Sequence, residues 1–222
     1  TEQLLTEAAQ LFQAGQFNDA EAACTRLLER TPEQPQALQL LGFIHFGKQQ
    51  PDIAIDYLVR ATQAAPDNIE THFNLARAYE EMADIERAVS SYRAAHACAP
   101  DDLDVLSALG RTLARQGRFV DAEECFNQTV TLSPYSAACH ANLANVLSNQ
   151  HRYEEAEASY REALKIDSQL APAHNGLGQA QLGQGKFDDA LVSIKQSLAL
   201  NPDFVDAHVS LGNTLKATGN IA

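Results

Sequence analysis

Four histidines are the residues most able to do chemistry by type. His72, His140, His174 and His208 stand 34 residues apart or at twice that spacing, and imidazole is the commonest protein ligand for a transition metal. A zinc ion requires its ligands at about 2 Å. Residues that recur once per packed helix pair are roughly 10 Å from their equivalents. One ion cannot span such a set, so the four do not read as one metal site. His45, His96 and His151 show no ligand spacing, and no metal is expected.

Catalytic constellations fare no better. Glu80–Glu81, Glu123–Glu124, Glu154–Glu155 and Asp188–Asp189 are adjacent acids. Neighbours on a helix point about 100° apart, so they cannot form a carboxylate dyad. They are read as solvated faces, with acids near helix starts favoured by the helix dipole. The chain holds no phosphate-binding glycine loop, no nucleophile elbow and no zinc-protease helix motif. No enzymatic activity and no cofactor are expected. Cys24, Cys98, Cys125 and Cys139 include no paired spacing of a zinc or redox motif, which suits small core residues in a reducing compartment.

The elements that must position any site come from composition and period. The 222 residues are 45% apolar and 20% charged, with a formal net charge of −13. That charge repels phosphate backbones and anionic lipid, so neither nucleic acid nor a membrane surface is an expected partner. No apolar run is long enough to span a bilayer. The start, without a basic leader or apolar core, does not read as a signal peptide, and a cytoplasmic location is expected.

The chain repeats itself every 34 residues. Pro32, Pro66, Pro100, Pro134 and Pro202 lie on that grid, with Ser168 in the remaining slot. Ala20, Ala54, Ala88, Ala122, Ala156 and Ala190 recur in register. Position 8 of each copy is always small, from Ala8 and Gly42 to Gly178 and Gly212. Position 7 is leucine in every copy after the first, as at Leu41, Leu75 and Leu143. Helical spacing on both sides of a tight turn, as in Ala137–Leu170, makes each copy a pair of antiparallel helices. Small residues let the two axes approach. Gly15, Gly117, Gly185 and Gly219 sit where the first helix needs a left-handed terminator. An apolar residue at position 17, such as Phe17, Phe119 or Ile221, covers the turn. Gly176, Gly178 and Gly183 should soften the sixth copy, at about 1 kcal/mol each relative to alanine.

These residues resemble the tetratricopeptide repeat family over the whole chain. The resemblance implies an all-α, right-handed superhelical solenoid forming one domain of six full repeats (1–34, 35–68, 69–102, 103–136, 137–170, 171–204) and a partial seventh (205–222). The first repeat, with Glu7 at the leucine position, reads as a polar cap. The seventh stops after its first helix and the chain lacks an initiator methionine, so a fragment of a longer protein is expected.

In that family the first helices line a concave groove that binds protein or peptide segments. Carried onto this sequence, the groove positions hold Asn74, Arg77, Arg111, Arg115, Asn142, Asn145, Asn149, Gln179 and Asn213. They also hold an apolar group at the N-terminal end: Phe12, Leu40, Phe43, Phe46 and Phe73. Asn142, Asn145 and Asn149 form an i, i+3, i+7 stripe. Asparagine costs a helix up to about 0.7 kcal/mol per residue, while its amide both donates to and accepts from an extended backbone. The three arginines suit acidic groups. The arm of O-linked N-acetylglucosamine transferases carries asparagine at position 6, matched here at Asn74 and Asn142 and interrupted at Leu40, Ala108 and Gly176. The two-carboxylate clamp of chaperone-binding relatives needs lysine at position 5, and none is present. The leading reading is a binding scaffold. The alternatives are the substrate-recognition arm of a larger glycosyltransferase or sulfotransferase, and a solenoid that self-associates through its uncovered last helix.

Overall fold

Alanine and leucine at helical spacing, punctuated by proline and glycine, produce thirteen α-helices and no strand among the described residues. The computed structural model describes residues 2–219. The helices are α1 Glu2–Gln13, α2 Phe17–Leu28, α3 Pro35–Gly47, α4 Pro51–Ala64, α5 Ile69–Glu81, α6 Ile85–Cys98, α7 Leu103–Arg115, α8 Phe119–Leu132, α9 Ala137–Asn149, α10 Tyr153–Ile166, α11 Ala171–Gly183, α12 Phe187–Leu200 and α13 Val205–Ala217. They form two compact units, Thr1–Val105 and Leu106–Ala222.

The turn inside each helix pair has one recurring backbone feature. The residue at position 15 has positive φ in every copy: Gly15, Gln49, Ala83, Gly117, His151, Gly185 and Gly219. Four are the glycines expected from sequence. The other three adopt the same left-handed conformation with a side chain, at φ of 58°, 56° and 60°. The three-residue turn therefore dictates the conformation, and glycine merely removes its cost. Ile221, expected to cover the last turn, lies outside the described residues.

In the first unit, Ala8, Ala23, Cys24, Leu27, Ala37 and Leu41 make one buried cluster. Leu58, Leu75, Ala78, Tyr79 and Ala88 make another, with Phe43 and Phe46 packed on its edge. In the second unit, Ala144, Leu147, Ala156, Tyr160, Ala173, Leu177 and Ala180 form the core. The six alanines at position 20 are fully buried.

The small residue at position 8 faces the side chain at position 24 of its own pair. A Cβ added at Gly42 would lie 2.5 Å from Leu58, one at Gly110 2.8 Å from Phe126, and one at Gly178 2.5 Å from Ile194. The glycines of α11 therefore have a packing role. Gly176 and Gly183 lie against the rings of Tyr160 and Tyr153, where added Cβ atoms would come within 2.3 and 2.7 Å. Helix propensity gave these positions as weak points. Close approach of aromatic rings is the physical reason they are glycine.

Successive pairs are also tied by polar contacts. The ring Nε2 atoms of His72, His140, His174 and His208 reach the backbone carbonyls of Pro66, Pro134, Ser168 and Pro202, at 2.7 to 3.1 Å. A carbonyl only accepts, so Nε2 donates. The position-4 histidines thus fasten the turn between repeats. Because the acceptor is backbone, Ser168 serves as well as proline. A second tie starts at position 21. Glu123 accepts from Gln150 Nε2 at 2.7 Å and Arg152 Nη1 at 2.6 Å. Glu157, 6% exposed, accepts from Gln184 at 2.8 Å and Lys186 at 2.9 Å. Glu21 and Lys48 make the corresponding pair in the first unit, at 2.5 Å. Glu123 is therefore not the solvated acid that its neighbour Glu124 suggested, and Glu80 likewise accepts from the Tyr92 hydroxyl at 3.0 Å.

Candidate protein-binding surfaces

The first helices of the repeats carry the residues singled out by sequence, and each unit presents its own set. In the first unit α1, α3 and α5 supply them. Phe43 and Phe46 are half-buried, held against the core by one edge and open at the other. Phe12, Leu40 and Phe73 are also half-buried. Phe12 meets Phe17 edge-on at 5.5 Å, and Phe73 meets Tyr92 at 5.4 Å. Leu5, Ala9, Phe12, Leu40 and Phe43 line a pocket of about 370 Å³. The apolar group expected from sequence is therefore divided: Phe12, Leu40 and Phe43 share an open pocket, Phe46 lies under Arg77, and Phe73 packs on Tyr92.

Arg77 lies over the face of Phe46, with Cζ 5.0 Å from the ring centroid. An arginine on an aromatic face is held by the ring quadrupole and keeps its N–H fork free to donate. Asn74 donates Nδ2 to the carbonyl of Glu70 at 2.8 Å, one turn back on α5. That bond leaves its Oδ1 as the outward acceptor.

In the second unit Arg111 and Arg115 stand exposed on α7. On α9, Asn145 and Asn149 are exposed and Asn142 is half-buried. Asn145 Oδ1 accepts from the hydroxyl of Tyr160 at 2.5 Å. Tyr160 is itself buried, and that burial pushes its hydroxyl up to about 12, against a smaller opposing effect from Ser148. The phenol therefore stays protonated at neutral pH and acts as a donor. It fixes the Asn145 amide with its oxygen on the hydroxyl and its Nδ2 as the group left to donate. Gln179 on α11 donates Nε2 to Ser210 Oγ of α13 at 2.9 Å. Asn213 is exposed on α13.

Two buried polar residues close to these faces were not among those singled out by sequence. Asn175 is 5% exposed and its Oδ1 has no hydrogen-bond partner. Tyr160 places its ring in the core, where its hydroxyl is not apparent from the repeat. Position 24 is tyrosine in two copies, Tyr92 and Tyr160, and apolar in others; a hydroxyl at a core position was the available hint of a polar partner nearby.

The geometry of the two units can be compared with proteins of known family and structure. The family profile described as the tetratricopeptide C-terminal domain of cilia and flagella-associated protein 70 matches residues 2–222. The chain belongs to this tetratricopeptide repeat family. Among solved structures, a tetratricopeptide repeat protein from Parabacteroides merdae superposes with a TM-score of 0.77 at 18% identity, covering 99% of this chain and 87% of that one. YrrB, described as a TPR protein with an unusual peptide-binding site, gives 0.72 at 15% identity, covering 85% and 97%. MamA gives 0.71 at 19% identity, covering 86% and 98%. At these identities the likeness shows the fold. A probable UDP-N-acetylglucosamine–peptide N-acetylglucosaminyltransferase, SEC of Arabidopsis thaliana, is 32% identical over 88 residues, 40% of this tetratricopeptide chain and 9% of that protein. The chain thus matches less than a tenth of that relative's length.

Proposed function

We propose that this chain is a protein- or peptide-binding tetratricopeptide scaffold, with the exposed faces of its first helices as the contact surface. The observation that carries the reading is the amide face of α9. Three asparagines occupy one helix, where each is a poor helix former, and one of them is oriented by a buried tyrosine. Orienting a surface amide from beneath lowers the entropy lost when it meets a partner. Such a face recognises the backbone of an extended segment through donors and acceptors in register. Arg111 and Arg115 lie on the preceding first helix, α7, and add attraction for acidic side chains. The mechanism is preorganisation, and it involves no chemical step.

The test is a random-peptide display library panned against the whole chain and against Asn142→Ala with Asn149→Ala. Those two positions are chosen because Asn145 also carries the Tyr160 hydrogen bond. Enrichment on the parent chain that falls away in the double variant, with an unchanged melting temperature, supports the reading. Equal enrichment on both removes the amide face from the function.

The local identity to an N-acetylglucosaminyltransferase favours a second reading, in which the chain serves as a substrate-recognition arm. Reading the gene on both sides of these 222 residues for a catalytic domain decides it.

A further inference from the structure

The pocket of the first unit differs from the amide face of α9 in chemistry, and its lining says what would fill it. Its walls are apolar, from Leu5 and Phe12 on α1 and Leu40 and Phe43 on α3. All four are bulky, and all four are half-buried where core residues of the same size are fully buried. A volume of about 370 Å³ is at the small end for a ligand site and suits one large side chain as an anchor.

The lip of the pocket is polar and organised. Glu70, from α5, is the one charged residue that lines it among the described residues. Its Oε2 accepts from Gln39 Nε2 at 3.0 Å, and Gln39 Oε1 accepts in turn from Asn68 Nδ2 at 3.4 Å. Asn68 is anchored as the N-cap of α5, where its Oδ1 accepts from the Thr71 N–H at 2.9 Å. Glu70 is exposed, and one oxygen of its carboxylate is engaged by this chain of amides. The nearest arginine along α5, Arg77, is drawn onto Phe46. An anion beside an apolar cavity, on a chain of net charge −13, selects a cationic neighbour and rejects an anionic one.

We infer that this pocket receives a leucine- or phenylalanine-sized side chain from a partner segment whose adjacent residue is lysine or arginine. The inference rests on the binding-scaffold reading and gives one of its surfaces a ligand class. Glu70 supplies the selectivity for the basic residue, and Leu40 and Phe43 supply the anchor site.

Capped glycine/serine peptides with a central Leu-Arg, Leu-Glu or Ser-Arg pair test it, by heteronuclear NMR titration of the whole chain. Leu-Arg is expected to shift the Leu40, Phe43 and Glu70 resonances and to bind about tenfold more tightly than Leu-Glu at low salt, the gap narrowing as salt is added. Ser-Arg is expected to leave those resonances unmoved. Glu70→Lys should invert the preference between Leu-Arg and Leu-Glu, and Ala9→Trp, which fills the pocket from an exposed position, should abolish both. No binding of Leu-Arg, equal binding of Leu-Arg and Leu-Glu, or a preference unaltered in Glu70→Lys overturns the inference. Binding that survives Ala9→Trp and shifts α9 resonances instead would also overturn it, while leaving the scaffold reading standing.

Discussion

The Tyr160 hydroxyl donates to Asn145 Oδ1 across 2.5 Å, joining a buried ring on α10 to an exposed amide on α9. A core residue and a surface residue thus share one bond, and neither can be altered without affecting the other. Tyr160→Phe should lower stability by about 1 kcal/mol, the usual net worth of such a bond. Asn145→Ala should cost a similar amount, because it strands a buried hydroxyl. Chemical denaturation of both single variants and the double variant checks this: the double should cost clearly less than the sum of the singles, and strict additivity would argue against the bond.

Position 8 offers a contrast within a single repeat slot. Gly178 faces Ile194 and the Ala190 carbonyl, whereas an added Cβ at Gly212 would meet nothing within 4 Å. Gly178→Ala should destabilise by about 1–3 kcal/mol through overpacking. Gly212→Ala should stabilise by about 1 kcal/mol through helix propensity. Melting curves of opposite displacement are the expected result.

The turn at position 15 makes a third case. Ala83 holds φ of 56° without glycine's freedom. Ala83→Gly relieves that strain, which exceeds the entropy glycine adds to the unfolded chain, and should raise stability by about 0.5 kcal/mol. Urea midpoints of the two chains measure it.

Glu157 predicts a pH dependence. Burial pushes its carboxyl up, but Lys186, Gln184 and Arg161 together outweigh this and hold it below its ordinary value of 4.5. Its folded value is lowered, so its stabilisation is present above the ordinary carboxylate range and is lost as pH falls through the folded value. Glu157→Gln should cost about 1–2 kcal/mol at neutral pH. The gap between the two chains should close as the solution is acidified below the ordinary carboxylate value. A gap independent of pH would show that the charge contributes nothing.

The thiols should separate by reactivity. Burial pushes Cys24 up to about 11, and Cys139 is also buried, while Cys98 and Cys125 are partly accessible. Alkylation at neutral pH, followed by peptide mass mapping, should label Cys98 and Cys125 before Cys24 and Cys139.

The period of 34 residues, the helix pair, the family and the small residues at positions 8 and 20 were all legible in the chain. Each is a backbone constraint: helices can approach only where side chains are small, and turns close only where φ can be positive. Such constraints recur identically in every copy, so repetition displays them. The left-handed turn was legible at Gly15, Gly117, Gly185 and Gly219 and hidden at Gln49, Ala83 and His151, whose side chains tolerate it without signalling it.

What the tertiary structure decided lies between side chains. Glu123 with Arg152, Glu157 with Lys186, and Gln39 with Glu70 pair residues about thirty positions apart. Such types recur in some copies and are absent from others, so the period alone does not show which residues bond. The same holds for Asn145, whose sequence position marks it as a groove residue but whose amide is oriented by Tyr160. The three glycines of α11 cost helix propensity, and the structure adds that they seat Tyr160, Tyr153 and Ile194. Sequence determines which faces meet because packing depends on size repeated in register. The polar contacts across those faces depend on rotamers and distances, and those exist only once the helices have packed.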